Sequence, residues 1–386
     1  TSERLENLAE AIRARGVERI HVLGWRDLDD PDAGGSEVHA DAFMRRWAAV
    51  GFDVLHRTSA ARGQPATAHR NGYQVVRRGG RYSVFPRAAV REVMPGARRA
   101  DAIVEIWNGV PWFSPVWCRR PRLIFVHHVH GPMWDQIFPG RIAAAGRLLE
   151  TGIAPPIYRR SRVVTPSTST REELLSLGFS ERLVTVAENG VDEWFVPIET
   201  KAQRPTVVAA ARLAPVKRLE LLLSCAAEAR QWVPDLELRI IGDGPERSRL
   251  DRWIDDHQAR PWVTLLGYVD REELRREYSR AWVVASASLV EGWGLSLTEA
   301  AACGTPAVAT DVAGHRSSVL DGVTGLLADP DDLARALASV LTDAGLRSSL
   351  AAAAQERAAS LTWDASAYGV LEGLADVVLG EGESRC

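Results

Sequence analysis

Lysine is almost missing from this chain: Lys201 and Lys217 are its only two, among 47 basic residues that are otherwise arginine. A lysine in a motif therefore stands out. Neither sign of charge dominates, since 50 acidic residues leave a formal net charge of only -3, and that balance excludes wholesale nucleic-acid binding. Cysteine is scarce as well. Cys118, Cys225, Cys303 and Cys386 lie far apart, with neither the paired spacing of a zinc site nor the density of a secreted disulfide framework, which points to a reducing cytoplasm. No apolar run approaches the ~20 residues of a membrane span. The opening TSERLENLAEAIRARG is charged and amphipathic rather than a signal peptide. GxGxxG, the glycine fingerprint of nicotinamide-binding folds, is absent, which counts against an oxidoreductase of that kind. Solenoid repeats and long low-complexity tracts are absent too.

What is present is alternation. At 386 residues the chain exceeds the ~100 to 200 that one core usually organises. Short β-like runs recur with helical segments between them: RIHVLGW, FDVLHR, AIVEIW, RLIFVHH and RVVTPS. After the proline- and charge-bearing VPIETKAQRPT the series restarts with VVAAAR, LELRIIGDG, VTLLGYV, WVVASAS and PAVATD. These runs are apolar on both faces, as parallel strands covered by helices on each side should be. The expectation is α/β: two Rossmann-like doubly wound domains, 1–195 and 196–361. A final helical segment, 362–386, carries Tyr368, Leu371, Leu374 and Val378 at helical spacing and is expected to pack back on the first domain.

Several stretches carry chemistry. In DLDDPDAGGSEVHADAFMRRW, Gly34 and Gly35 precede an amphipathic helix, an arrangement that lets backbone N–H groups face a phosphate; a plain tight turn is the alternative. The string Asp27-Leu28-Asp29 formally matches a carboxylate pair for a divalent cation, although aspartate is also an ordinary loop residue. ARLAPVK supplies a metal-free alternative. It places Arg212 and Lys217 at and beyond the carboxyl end of a strand, where open α/β sheets bind ligands, and two cations there can neutralise a diphosphate. A solvated basic loop is the bland reading, less comfortable for one of only two lysines.

LIFVHHVHG packs His127, His128 and His130 together, but neighbours on an extended strand point to opposite faces, so the three do not converge on zinc without a sharp turn. One or two lining a ligand cleft and at least one structural histidine is the better expectation. In LVEGWGLSLTEAAACGTP, Glu291 follows a strand, Gly292 and Gly294 permit close backbone approach, and Ser296 or a neighbour caps a helix. Amides around Leu295 to Thr298 would face a phosphate, Glu299 would accept from a ribose diol, and Glu291 would reach toward a sugar. The alternative is that Glu299 merely complements the helix dipole and Glu291 is solvated.

Arg212, Lys217, Glu291 and Glu299, with the glycine pair at 34 and 35, resemble the retaining nucleotide-sugar transferases of glycosyltransferase family 4. The likeness covers almost the whole chain, through AGGSEVHA, PSTSTREEL, ENGVD, ARLAPVKRLELLL, GDGPER, LGYVDREEL, EGWGLSLTEAAACGTPAVAT and DGVTGLL. It implies a GT-B fold, two Rossmann-like domains facing each other across a cleft, the first for the acceptor and the second for the nucleotide sugar. It also implies roles. Arg212 and Lys217 stabilise the leaving diphosphate in place of a metal, and amides at Gly34, Gly35, Gly292, Gly294, Leu295 and Ser296 complete that site. Glu299 holds the ribose, Glu291 contacts the donor sugar, and the backbone of Gly267, Tyr268 and Val269 reads the base. His128 lines the sugar site, with His127 and His130 as its alternates. Trp293, in place of the commoner phenylalanine, keeps an aromatic wall. The loop Ala313-Gly314-His315-Arg316-Ser317-Ser318 departs from the family pattern. No metal or other cofactor is expected, and no protein nucleophile.

The implied reaction moves a hexose-type sugar from a UDP- or GDP-linked donor to an acceptor whose identity the sequence leaves open. A nucleotide-sugar epimerase or hydrolase on the same fold, and a non-catalytic binding module, are the rivals. Two segments bear on the acceptor. Residues 70–99 hold eight arginines and one acid, Glu92, and read either as a solvated stretch or as a basic surface for an anionic acceptor or membrane face. IWNGVPWFSPVW, with Trp107, Trp112, Phe113 and Trp117, is either core or an apolar acceptor wall. Together they admit a lipid-linked or phosphorylated acceptor and a peripheral position at the inner membrane face.

Overall fold

The computed structural model describes residues 2–94, 99–131, 133–137 and 140–380; Cys386 and residues 95–98 of the arginine-rich segment lie outside them. The chain divides into two compact units, one that reaches Gly190 and resumes at Trp363, the other Val191–Thr362. The division falls after Gly190 rather than 195 because Val191 and Phe195 are buried in the second unit's core with Tyr278 and Leu361.

In the first unit β1 (Arg19–Leu23), β2 (Asp53–Thr58), β3 (Thr67–Arg70), β4 (Tyr73–Arg77), β5 (Ala102–Trp107), β6 (Arg122–Val126), β7 (Val163–Thr165) and β8 (Val184–Val186) form one sheet. Its order is β3-β4-β2-β1-β5-β6-β7-β8, and β3 alone is antiparallel to its neighbour. The helix Gly35–Ala49 and the terminal helix Trp363–Leu379 cover one face: Phe43 and Trp47 from the former and Val370, Leu371 and Leu374 from the latter share a core with Val104 and Phe125. Trp47 Nε1 donates to the Ala367 carbonyl at 3.1 Å, so the indole dipole is satisfied inside that core.

β5 is buried along its whole length although it contains Glu105. That carboxyl accepts from the Trp112 amide at 2.8 Å, from Tyr158 Oη at 2.6 Å and from Ser114, and burial pushes its pKa upward despite these donors. The segment IWNGVPWFSPVW wraps this buried acid. Trp107 and Trp112 are therefore core residues, 2% and 3% exposed.

The second unit contains β9 (Thr206–Ala210), β10 (Glu237–Ile241), β11 (Val263–Gly267), β12 (Val283–Ser286), β13 (Ala307–Thr310) and β14 (Gly325–Ala328). All neighbours are parallel, in the order β11-β10-β9-β12-β13-β14. The order reverses between β9 and β12, so the connections leaving these two strands depart to opposite sides and leave a crevice at their carboxyl ends.

Candidate functional site

β9 and β12 are registered through Val207↔Val283 and Val208↔Val284, so the loops that follow them begin side by side. The Leu289 amide donates to the Val216 carbonyl at 2.9 Å and joins the loops directly. Lys217 sits in a single 3-10 turn, Pro215–Lys217, after which Arg218 takes a left-handed conformation at φ 48° and starts the next helix. Its Nζ contacts Glu291 Oε1, and Ser288 Oγ donates to the same oxygen at 2.8 Å. Burial would raise the Glu291 carboxyl, but Lys217, His315 and Ser288 outweigh it and hold the pKa at about 2.

Behind Glu291 stands the loop after β13. The Thr310 hydroxyl donates to the Ser288 carbonyl at 2.6 Å, and His315 Nδ1 lies 2.7 Å from the Thr310 carbonyl. That contact requires Nδ1 to carry the hydrogen, and burial holds the imidazole below its usual pKa. Gly314 packs so closely that a Cβ there would lie 2.2 Å from the Glu291 carbonyl oxygen. Ser288 and His315 were not singled out as site residues in the sequence; the only signal was that the 313–318 loop departs from the family pattern.

Gly294, at φ 99°, is the N-cap of the helix Leu295–Ala302, and no side chain caps it. This corrects the expectation of a cap from Ser296 or a neighbour: the backbone turn needs the left-handed conformation that glycine adopts without steric cost. The amides of the first turn, at Leu295 and Ser296, therefore meet no side-chain acceptor from the cap, and the positive end of the helix dipole is left for an anion. Trp293 is 3% exposed and packs with Leu297 and Val319, so it is core rather than an aromatic wall.

Glu299, one turn further on, is partly exposed. Burial raises its pKa to about 7, against opposing contributions from the Tyr278 hydroxyl, 3.3 Å away, and from Arg271. Tyr278 was not legible as its partner. Arg212 is exposed on the loop after β9. That loop is braced by GDGPER: the Leu213 amide donates to the Asp243 carbonyl at 3.0 Å, and a Cβ at Gly242 would come 2.0 Å from the Ala211 carbonyl oxygen. β11 ends at Gly267, φ 71°, with Tyr268 89% exposed and Val269 packed on the core.

In the first unit Gly34 is extended backbone and caps the helix Gly35–Ala49, its amide donating to Glu37 Oε2 at 2.7 Å. Asp27 and Asp29 do not form an open carboxylate pair. Arg77 reaches both, at 2.5 and 2.6 Å, and Arg70 takes Asp29 as well. The histidines separate as alternation predicts: His127 is buried against His39 and Phe125, whereas His128 stacks on His130 with ring centroids 4.4 Å apart. Glu150 anchors their loop by accepting from the His130 and Gly131 amides and from Trp134 Nε1 at 2.9 to 3.0 Å. Among the described residues no group of three or more His, Cys, Asp or Glu side chains gathers as a metal would require.

The second unit thus combines a cation at Lys217, an uncapped helix terminus at Gly294, an ionised acceptor at Glu291 and a titratable acceptor at Glu299. Such a set recognises an anion attached to a polyol. Two family models match the chain, one described as Glycosyltransferase Family 4 over residues 33–195 and one as Glycosyl transferases group 1 over residues 191–357. Among curated relatives, the D-inositol 3-phosphate glycosyltransferase of Stackebrandtia nassauensis is 34% identical over 95% of this chain and 93% of its own. That of Pseudarthrobacter chlorophenolicus is 33% identical over 94% of each. Among solved structures, sucrose-phosphate synthase from Thermosynechococcus elongatus covers 92% of this chain and 98% of its own, with a TM-score of 0.76 at 22% identity. Anabaena HepE in complex with UDP-glucose covers 93% and 99%, with a TM-score of 0.73 at 18% identity.

Proposed function

The chain belongs to glycosyltransferase family 4, and from that premise we propose that it moves a hexose-type sugar, with retention at the anomeric carbon and without a metal, from a UDP-linked donor to a phosphorylated polyol. The observation that carries this reading is the contact between Lys217 and Glu291 at the strand-order reversal of the second unit. Lys217, with Arg212 on the same loop, meets the charge that grows on the departing diphosphate, and the uncapped amides at Leu295 and Ser296 meet it from the helix. Glu291, ionised and fixed by three neighbours, accepts from hydroxyls of the donor sugar. Glu299 accepts from the ribose, and the backbone of Gly267 to Val269 lies against the base. The incoming hydroxyl attacks the face that the diphosphate leaves, so no side chain forms a covalent bond.

UDP rather than GDP is favoured by the HepE complex with UDP-glucose, and a phosphorylated polyol by the relatives named for D-inositol 3-phosphate. The test is to incubate the protein with UDP- and GDP-sugars and inositol phosphates, then read product by mass spectrometry and anomeric configuration by NMR. An α-linked glycoside from an α-linked donor supports the reading. Donor consumption without a glycoside would instead identify a hydrolase or epimerase.

A further inference from the structure

Donor chemistry accounts for none of the features on one face of the first unit. There the helix Val84–Val93 turns Val84, Ala88 and Glu92 inward. Glu92 is fixed by His21 Nδ1 at 2.6 Å, Arg57 Nε at 2.5 Å and Arg120 at 3.2 Å. Burial would raise that carboxyl, yet His21 and Arg57 hold it at about 2, so an ionised anchor sets how the helix is rotated about its axis. The outward face is then determined. It carries Arg87 and Arg91 together with Val90, Val93 and Met94, which are 57%, 56% and 49% exposed.

Between this helix and strands β2 and β4 lies a cavity of about 750 Å³, within the range of small-molecule and lipid sites. Leu55, Val76, Val84 and Ala88 form an apolar floor, and Arg57, Arg78, Arg87 and Arg91 stand around it. Arg57 is neutralised by Glu92. Arg78, Arg87 and Arg91 are exposed, and none has an ion-pair partner among the described residues. A simple phosphate would leave the floor unused, and a neutral hydrocarbon would leave three arginines unused. Both halves are satisfied by a ligand with an anionic head and an alkyl tail.

We propose that this face docks on an acidic lipid of a membrane surface, the headgroup on Arg78, Arg87 and Arg91 and the acyl chain on the floor formed by Leu55, Val76 and Ala88. Val90, Val93 and Met94 then enter the interfacial region beside the headgroups, as apolar residues of a basic amphipathic helix do. The arginines supply the attraction to an anionic leaflet, each acting within a Debye length of the surface. The docking face belongs to the first unit and is independent of how the second unit reads its donor.

The test uses the full chain and sedimentation with vesicles of phosphatidylcholine, alone or doped with phosphatidylglycerol. Binding is expected only to the doped vesicles and is expected to weaken with salt. Arg78→Ala, Arg87→Ala and Arg91→Ala should each weaken it by a factor of roughly five, and Val90→Asp should weaken it independently. Unchanged circular dichroism and nucleotide affinity would show that these exposed variants remain folded. Dodecyl phosphate should compete with the vesicles, whereas inorganic phosphate at the same concentration should not. Equal binding to both vesicle types, no binding at low salt, full binding by the triple arginine variant, or equal competition by inorganic phosphate would each overturn the proposal. So would capture of an acidic peptide in preference to doped vesicles.

Discussion

Lys217 and Glu291, 74 residues apart in sequence, meet side chain to side chain where the loops after β9 and β12 adjoin. The pair is a preorganised charge arrangement. Lys217 stabilises ionised Glu291, and in the proposed function its remaining N–H groups meet the diphosphate. Lys217→Ala should therefore lower kcat by on the order of 10²- to 10³-fold, the scale of losing one preorganised charge-stabilising donor. Circular dichroism should be unchanged. Turnover near wild type in steady-state assays would remove Lys217 from the catalytic set.

Glu299 gives a pH signature with a defined sign. Its folded pKa, about 7, lies above the usual carboxyl value of 4.5. Its contribution to fold stability is therefore complete below about 4.5 and is lost as pH rises through about 7. Donor binding runs the other way, since a carboxylate accepts from a ribose diol more strongly than a neutral carboxyl. Donor KM should fall about tenfold between roughly pH 6 and pH 8, the gap between neutral and charged hydrogen bonds. Glu299→Gln should hold the weaker value throughout. A KM profile that the substitution leaves intact would place the titrating group elsewhere.

Gly314 tests whether the 313–318 loop positions Glu291. A Cβ at 314 would meet the Glu291 carbonyl oxygen at 2.2 Å and its carbonyl carbon at 2.5 Å, and backbone cannot yield as a flexible side chain can. Gly314→Ala should cost about 1 to 3 kcal/mol in stability and raise donor KM, because the carboxylate moves with its loop. Calorimetry and donor titration on the same sample would separate the two effects. Unaltered KM would mean that the loop is not a support for Glu291.

The parallel strands, the loops bearing Arg212, Lys217 and Glu291, and the helix bearing Glu299 were legible in the sequence because apolar runs and motif spacing are local properties. Side-chain partners were not. Nothing in WVVASAS marks Ser288 as a donor to Glu291 three residues on, because the turn between them is needed to bring the two side chains together, and nothing in RREYSR marks Tyr278 as the neighbour of Glu299, a pairing 21 residues apart that arises only when the two helices stack. Trp293 misled in the opposite direction, since the family resemblance implied an aromatic wall whereas the indole is folded inward onto Leu297 and Val319. Ser296 misled because a backbone turn at Gly294 does what a capping hydroxyl would otherwise do.

Asp27 and Asp29 offer the sharpest separation of a structural from a metal-binding role. Both carboxylates are held by Arg77, which is itself 2% exposed, as is Asp27. In such a setting the arginine compensates the Asp27 charge taken out of water, and removing it strands that carboxylate, whereas the partly exposed Asp29 keeps Arg70. Arg77→Ala should therefore destabilise the first unit by about 3 to 5 kcal/mol, lowering its melting temperature by roughly 10 °C for a unit of this size. A metal site would behave differently: chelator treatment of the wild-type protein would abolish transfer, and Mn²⁺ would restore it. The expected outcome is full transfer activity after chelation, with Asp27→Asn losing melting temperature in calorimetry and activity only in proportion to the folded fraction. Activity lost to chelation and restored by Mn²⁺ would assign the two aspartates to a cation instead.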